Sequence, residues 1–208
     1  MSSFWRDYKL NFYILRRPFQ GFYAMKYEGR GKMSVALLNF LALWISFSFT
    51  RQYSSIIVDQ TYPLNLNSFL DGASIMGILL LWSAANWSIT SLTDGEGKFK
   101  EIFMANCYAF MPLILFLIPA ALFSNILAEG EGAFYFMLMQ IALMWFLALG
   151  FIGMVTVHGF TVGKAIFTLF LTFIALLIIV FLISLVMMLW QQVVVFFFSV
   201  YTEIIFRL

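Results

Sequence analysis

The charged residues divide the chain into five long segments that contain no charge. These segments cover residues 33–50, 72–93, 102–128, 132–163 and 165–202. A helix needs roughly 17–25 predominantly apolar residues to cross a bilayer, and each segment is long enough to supply them. The pattern therefore predicts an all-α membrane domain over residues 33–190, in the form of a bundle of five spanning helices.

Residues 1–32 precede the first span and combine aromatic with basic side chains. Apolar residues recur there at a spacing of three to four, namely Trp5, Tyr8, Phe12 and Leu15. Basic residues lie among them or just after them, namely Arg6, Lys9, Arg16 and Arg17. This pattern is typical of an amphipathic helix that lies on the inner leaflet and contacts membrane lipid. Pro18 is expected to end this helix or to start a new one, because a proline inside a helix removes a hydrogen bond.

The last uncharged segment is too long for a single crossing. Its 38 residues correspond to about 57 Å of helix, against a hydrocarbon core of about 30 Å. We expect the fifth span to occupy residues 165–189 and the chain to bend at Trp190-Gln191-Gln192. Residues 193–206, within a terminal segment 191–208, are then expected to form an interfacial helix on the external side.

Composition and charge define the class of protein and its orientation. Hydrophobic residues make up 63% of the chain and charged residues only 11%, whereas soluble domains contain about 25% charged residues. Seven of the twelve Lys and Arg residues precede the first span. Because cytoplasmic loops carry the excess of positive charge, this predicts a multi-pass membrane protein with a cytoplasmic N-terminus and an external C-terminus.

The densest group of charges lies between the second and third spans. It consists of Asp94, Gly95, Glu96, Gly97, Lys98 and Lys100. A phosphate loop is excluded because the glycine and lysine spacing is wrong and two carboxylates repel phosphate. A calcium loop is excluded because too few side-chain oxygens are present. We interpret the group as a cytoplasmic helix–turn–helix joint, and a joint that also docks a partner is the alternative.

The third predicted span contains two prolines. Pro112 and Pro119 are seven residues apart and lie on similar sides of the helix. Each is expected to free a backbone carbonyl and to favour a kink that neighbouring helices support.

Among the uncharged polar residues within the predicted spans, four are candidates for contacts between helices. They are Ser83, Asn86, Asn106 and Gln140. Such side chains are expected to hydrogen-bond between helices, and a lining for a neutral solute path is the alternative. The absence of charge deep within any predicted span argues against a proton relay or an ion pump.

The remaining reactive side chains do not indicate a catalytic or metal site. Cys107 is the only cysteine and His158 the only histidine, and these two residues alone cannot build a zinc site. We interpret His158 as an interfacial residue of an inner loop, and the scattered methionines as packing residues rather than copper ligands. The sequence predicts a protein without enzymatic activity and without a cofactor.

Four stretches of the chain carry a resemblance to a known family. They are 86–112, with its Asp94-Gly95 turn followed by Tyr108 and Pro112; Pro18-Phe-Gln-Gly-Phe-Tyr-Ala-Met-Lys26; His158-Gly-Phe160; and Lys164-Ala-Ile166 with Thr172. Together they resemble the bacterial branch of the Yip (Ypt/Rab-interacting protein) domain family. The resemblance implies five spanning helices, a cytoplasmic N-terminus, no catalytic activity and a place in the bacterial cytoplasmic membrane. Bacterial members are often encoded beside carbohydrate ABC-importer components, which implies an accessory role with a transporter.

Three functions are consistent with these patterns. The favoured one is a scaffold that binds another membrane protein, either the permease subunits of a carbohydrate ABC importer, which are the favoured partner, or a second copy of itself. The alternatives are a small transporter or channel for a neutral solute or lipid, and a membrane-shaping protein whose terminal helices wedge opposite leaflets.

Overall fold

The computed structural model describes residues 2–58, 67–128 and 130–207. This part of the chain folds into helices only, which confirms the predicted all-α class. The helices are α1 (Ser2–Arg16), α2 (Pro18–Lys26), α3 (Met33–Tyr53), α4 (Ser68–Leu92), α5 (Phe99–Ala109), α6 (Met111–Ser124), α7 (Gly132–His158) and α8 (Val162–Arg207).

Five helical segments of the described chain are long and apolar enough to cross a membrane. They are α3, α4, α5 together with α6, α7, and α8. The predicted number of spans is confirmed. The third span is interrupted at Phe110. Pro112 lies in the first turn of α6, where a backbone N–H would have no partner within the helix, so the proline costs no hydrogen bond. Pro119 lies inside α6.

The interrupted third span lies at the centre of the bundle. Its first half, α5, packs against α3, α4 and α7, and its second half, α6, packs against α3 and α7. Most side chains of α5 are buried in the main core, including Phe103, Cys107 and Tyr108. By contrast, α8 packs mainly against α4 and makes few contacts with α7.

The N-terminal helices form as predicted, but α1 packs against protein through a different face. Leu10, Asn11 and Ile14 are fully buried, whereas Phe12 is 49% exposed. Asn11 and Asn39 of α3 exchange two amide hydrogen bonds of 3.1 and 2.8 Å. Phe12 therefore lies away from the buried side of α1, and contact of the predicted stripe with lipid stays a prediction.

The basic residues expected at the inner leaflet remain at the surface where they are described. Lys9, Arg16 and Arg17 are exposed. The side chains of Trp5 and Arg6 lie outside the described part. Pro18 begins α2, as the sequence predicted.

The last helix is a single continuous element, and the expected bend at Trp190-Gln191-Gln192 is wrong. α8 extends over 46 residues, through the region where a separate terminal helix was expected. Every residue from 180 to 206 is exposed. We call residues 180–206 the arm. The physical reason for the continuity is local, since the residues around 190 include no glycine or proline that would end a helix.

Candidate functional site

The segment 93–98, which we call the elbow, joins α4 to α5 by a tight turn. Asp94 adopts a left-handed conformation with φ of 54°. The Gly95 N–H donates to the Thr90 carbonyl over 2.8 Å, and the Lys98 N–H donates to the Glu101 carboxylate over 3.1 Å. These bonds close the end of one helix and the start of the next, so the elbow is a helix–turn–helix joint.

Two glycines in the elbow allow the ring of His158 to lie directly beneath the turn. A Cβ added to Gly95 would lie 2.8 Å from His158 Nδ1, and one added to Gly97 would lie 2.6 Å from His158 Cε1. Both distances are shorter than any tolerable carbon contact. Close approach of the imidazole therefore requires glycine at both positions.

A chain of buried hydrogen bonds begins at this imidazole. The Gly97 N–H donates to His158 Nδ1 over 3.3 Å. Because Nδ1 accepts, the neutral ring carries its proton on Nε2, which lies 3.0 Å from Asn86 Oδ1 and donates to it. Asn86 Nδ2 donates to Thr172 Oγ1 over 3.4 Å. We call Gly97, His158, Asn86 and Thr172 the polar chain.

The polar chain connects four separate parts of the fold. Gly97 belongs to the elbow, His158 ends α7, Asn86 lies in α4 and Thr172 lies in α8. The Thr172 hydroxyl completes the series by donating to the Thr168 carbonyl over 2.8 Å. A shift of any one element disturbs hydrogen bonds in the others, so the chain fixes the relative positions of these helices at the elbow end of the bundle.

The interpretation of His158 as an interfacial loop residue is wrong. Its side chain is 2% exposed and stacks against Phe160, with 5.2 Å between ring centroids. Gly159 follows in a left-handed conformation and ends α7. The glycines of the elbow were the available signal, because closely spaced glycines indicate a close approach by another group.

The N-terminal segment holds the elbow from the other side. Lys26 Nζ lies 3.1 Å from the Glu96 carboxylate and donates to the Val157 carbonyl over 2.7 Å. The Tyr27 hydroxyl donates to the same carboxylate over 2.7 Å. The tyrosine hydroxyl and the ammonium together lower the pKa of Glu96. Burial disfavours the charged form of Lys26, but hydrogen bonds with Tyr27 and Glu96 outweigh it and raise the pKa of Lys26.

The charged residues in and just after the elbow, from 94 to 100, are all exposed, and they differ in their contacts. The Glu96 carboxylate accepts hydrogen bonds from Lys26 and Tyr27. Asp94, Lys98 and Lys100 are exposed. Behind the turn, Tyr108 is fully buried and its hydroxyl accepts from the Lys32 N–H over 3.3 Å. Pro112 is also buried.

Three of the four polar residues predicted within the spans form hydrogen bonds between helices. Asn106 Nδ2 donates to Ser83 Oγ over 3.2 Å, and Asn86 belongs to the polar chain. Gln140 is exposed on the outside of the bundle. The expectation that it joins the other three is wrong, because its face of α7 turns away from them.

A cavity of ≈ 630 Å³ lies between α4, α5, α7 and α8, beside the polar chain. Asn86, Asn106 and His158 are its polar lining residues at the elbow end. The other lining side chains are apolar, including Trp82, Phe151 and Phe173. In residues 2–58, 67–128 and 130–207, no three His, Cys, Asp or Glu side chains form a cluster able to hold a metal ion.

Most of the chain matches a known protein family. Residues 12–185 match the Yip1 domain. The chain belongs to the Yip1 family. The Yip1 match includes the elbow, the polar chain and the cavity, and it ends within α8, so residues 186–206 of the arm lie beyond it. No curated protein and no solved structure matched the chain.

Proposed function

We propose that this Yip1-family membrane protein is a non-enzymatic scaffold that binds another integral membrane protein through the arm. Every residue of the arm is exposed, and most of its side chains are apolar. The arm also extends past the match to the Yip1 domain, which ends at residue 185. A surface of this kind is available to a partner without disturbing the bundle.

The length of α8 is the observation that carries the proposal. Its 46 residues correspond to about 69 Å of helix, while the hydrocarbon core is about 30 Å thick. A straight helix of this length fits within that core only at a tilt of about 65°, and spanning helices tilt by roughly 0–40°. Part of the apolar arm therefore extends beyond the core, where a protein surface covers it better than water.

The distribution of basic residues supports an orientation. The elbow end carries Lys and Arg residues of the N-terminal segment, the elbow and the start of α8, including Lys32, Lys98 and Lys164. At the other end, Arg51 is paired with Asp71. The positive-inside rule then favours a cytoplasmic elbow and an external arm in the bacterial cytoplasmic membrane. Asp94, Lys98 and Lys100 would offer a second, cytoplasmic contact surface.

The resemblance to bacterial Yip-domain proteins favours one partner over others. Permease subunits of a carbohydrate ABC importer are integral membrane proteins with apolar helices that suit the arm. Association of the arm with a second copy of this chain is the competing outcome.

Purification of the tagged full chain from native membranes in a gentle detergent tests the proposal. The test variant carries F196A and F197A in the arm, and the matched control carries F134A and F136A in α7. All four phenylalanines are exposed, at 62, 66, 54 and 50%. We expect ABC permease subunits in stoichiometric amount with the wild type and the α7 control, and about tenfold less with the arm variant.

Two results would count against the scaffold. Recovery of the wild type as a monomer from native membranes removes the proposed complex. Equal recovery of a partner with the arm variant and the α7 control removes the arm as its binding surface.

A further inference from the structure

We infer that the cavity between α4, α5, α7 and α8 binds one acyl chain of a membrane phospholipid, with an ester carbonyl beside Asn106. This inference is independent of the scaffold function, because it concerns the inside of the bundle rather than the arm.

The dimensions of the cavity fit a single hydrocarbon chain. Its lining extends along α7 from Phe146 to His158 and along α4 from Ile75 to Asn86, which corresponds to a length of roughly 17 Å. A volume of ≈ 630 Å³ over that length gives an average width of about 6 Å. The cavity is therefore a narrow apolar slot, and its volume lies within the range of about 300–1,000 Å³ found for small-ligand sites.

The slot opens sideways between α7 and α8. These two helices make few contacts with each other. Lining residues at the opening are substantially exposed, with Leu147 at 53% and Phe173 at 52%. Because α7 and α8 are both spanning helices, the opening faces the interior of the membrane, where the surrounding molecules are lipid acyl chains. An apolar slot that a chain can enter gains dispersion contacts when it is filled.

Among the polar side chains at this end of the slot, Asn106 has the most spare hydrogen-bonding capacity. His158 and Asn86 are bonded to each other and to the rest of the polar chain. Asn106 uses one amide hydrogen on Ser83, and within the described ranges its second hydrogen and its Oδ1 have no protein partner. A carbonyl oxygen is the group that accepts from this second hydrogen. An apolar slot with an unpaired amide hydrogen of Asn106 near one end fits an acyl chain and its ester carbonyl.

Gly150 provides a variant that fills the slot without disturbing its walls. It lines the cavity, and a Cβ built on it meets no atom within 4 Å. Gly150→Phe therefore places a ring in the slot. Gly77→Phe is the matched control, because a Cβ on Gly77 also meets nothing within 4 Å and Gly77 is not part of the cavity lining.

The test uses the full chain reconstituted in phosphatidylcholine vesicles that contain a phosphatidylcholine with a photoreactive diazirine on one acyl chain. After irradiation, labelled peptides are mapped by mass spectrometry. We expect labelling around Phe151 and Phe173 in the wild type, about tenfold less in Gly150→Phe, and no change in Gly77→Phe. Labelling of Met144, a 68% exposed residue of the spanning helix α7 outside the slot, should be the same in all three proteins and serves as the internal reference.

Asn106→Leu examines the carbonyl contact, with Ser83→Ala as a control that keeps the Asn106 amide. We expect Asn106→Leu to lower labelling of the slot severalfold, by the value of one hydrogen bond, and Ser83→Ala to leave it unchanged. The inference is overturned if Gly150→Phe, folded as judged by its thermal unfolding, labels like the wild type at Phe151 and Phe173. It is also overturned if those positions are not labelled in the wild type, or if a second copy of the chain occupies the slot and cross-links there.

Discussion

The elbow end and the arm are built in opposite ways from the same largely apolar chain. At the elbow end, Asn86 and His158 are 3% and 2% exposed and are hydrogen-bonded to each other. In the arm, Phe197 is 66% exposed and its neighbours are exposed as well. The elbow end pairs its buried polar side chains with each other inside the bundle. The arm contributes no side chain to the bundle interior.

This difference separates folding from association. Inside the bundle, a polar side chain must have a partner, because an unpaired group in an apolar environment is costly. On the outside, lipid tails are as apolar as the side chains, so an uncovered helix can persist in the membrane without loss of folding. Substitutions at the elbow end should therefore change stability, and substitutions in the arm should change binding.

The largest effect is expected from Gly97→Ala. The new methyl group would lie 2.6 Å from His158 Cε1 and 2.8 Å from Val157 Cγ1, so the ring or the turn must move, at a cost of about 3 kcal/mol. The measurement is the midpoint of thermal unfolding in detergent. Gly163→Ala is the control, because its Cβ meets open space and the change should be neutral or stabilising. Equal unfolding midpoints for the two variants would show that packing of the His158 imidazole against the elbow does not require glycine at position 97.

A smaller loss of about 2 kcal/mol is expected from His158→Leu, because it leaves the Gly97 N–H and Asn86 Oδ1 without a partner. Asn86→Leu should cost a similar amount. The double variant should cost clearly less than the sum of the two, as measured by a double-mutant cycle of unfolding midpoints. Strict additivity would mean that the two side chains do not depend on each other.

A pH effect of modest size is expected at Glu96. The pKa of Glu96 in the folded protein lies below 4.5, the ordinary value for a glutamate side chain. Its contribution to stability is therefore present above pH 4.5 and is lost as the pH falls through the pKa of the folded state. Glu96→Gln should flatten this acid loss of stability, measured as unfolding midpoints between pH 6 and about pH 3. Asp94→Asn makes the same change in charge at an exposed position and should leave the pH profile unaltered. A wild-type profile retained by Glu96→Gln would show that the Lys26 and Tyr27 contacts do not stabilise the fold.

The smallest effect on stability is expected from F196A with F197A in the arm. These rings pack against no part of the bundle, so the unfolding midpoint should change by no more than the equivalent of about 0.5 kcal/mol. A large fall in the midpoint would place the arm inside the folding unit and remove the contrast with the elbow end.

The parts of the fold that depend on local sequence could be predicted. The spans follow from uninterrupted apolar length, the interruption of the third span from Pro112, and the elbow from glycines and charges between two apolar segments. The pairing of His158 with Asn86 could not be predicted, because the two residues are 72 positions apart. Their proximity results from how α4 and α7 pack, which no local pattern records.

Two other features of the fold, in α8 and in α1, were not indicated by the local sequence. The length of the last apolar segment suggested a bend, but the residues around 190 include no glycine or proline, and α8 is continuous there. In α1, the spacing of apolar residues did not indicate that Asn11 is buried. It is buried because Asn39 satisfies both of its amide groups, so polarity alone did not indicate the exposed face.

The central claim is that the arm is a protein-binding surface and the rest of the lipid-facing surface is not. A photoreactive benzoylphenylalanine in place of Phe197 in the arm, or of Met144 in α7, tests it at two positions of nearly equal exposure, 66 and 68%. After irradiation of native membranes, the account predicts a discrete adduct with one other integral membrane protein at position 197 and none at position 144. Adducts at neither position, or the same adducts at both, would contradict it.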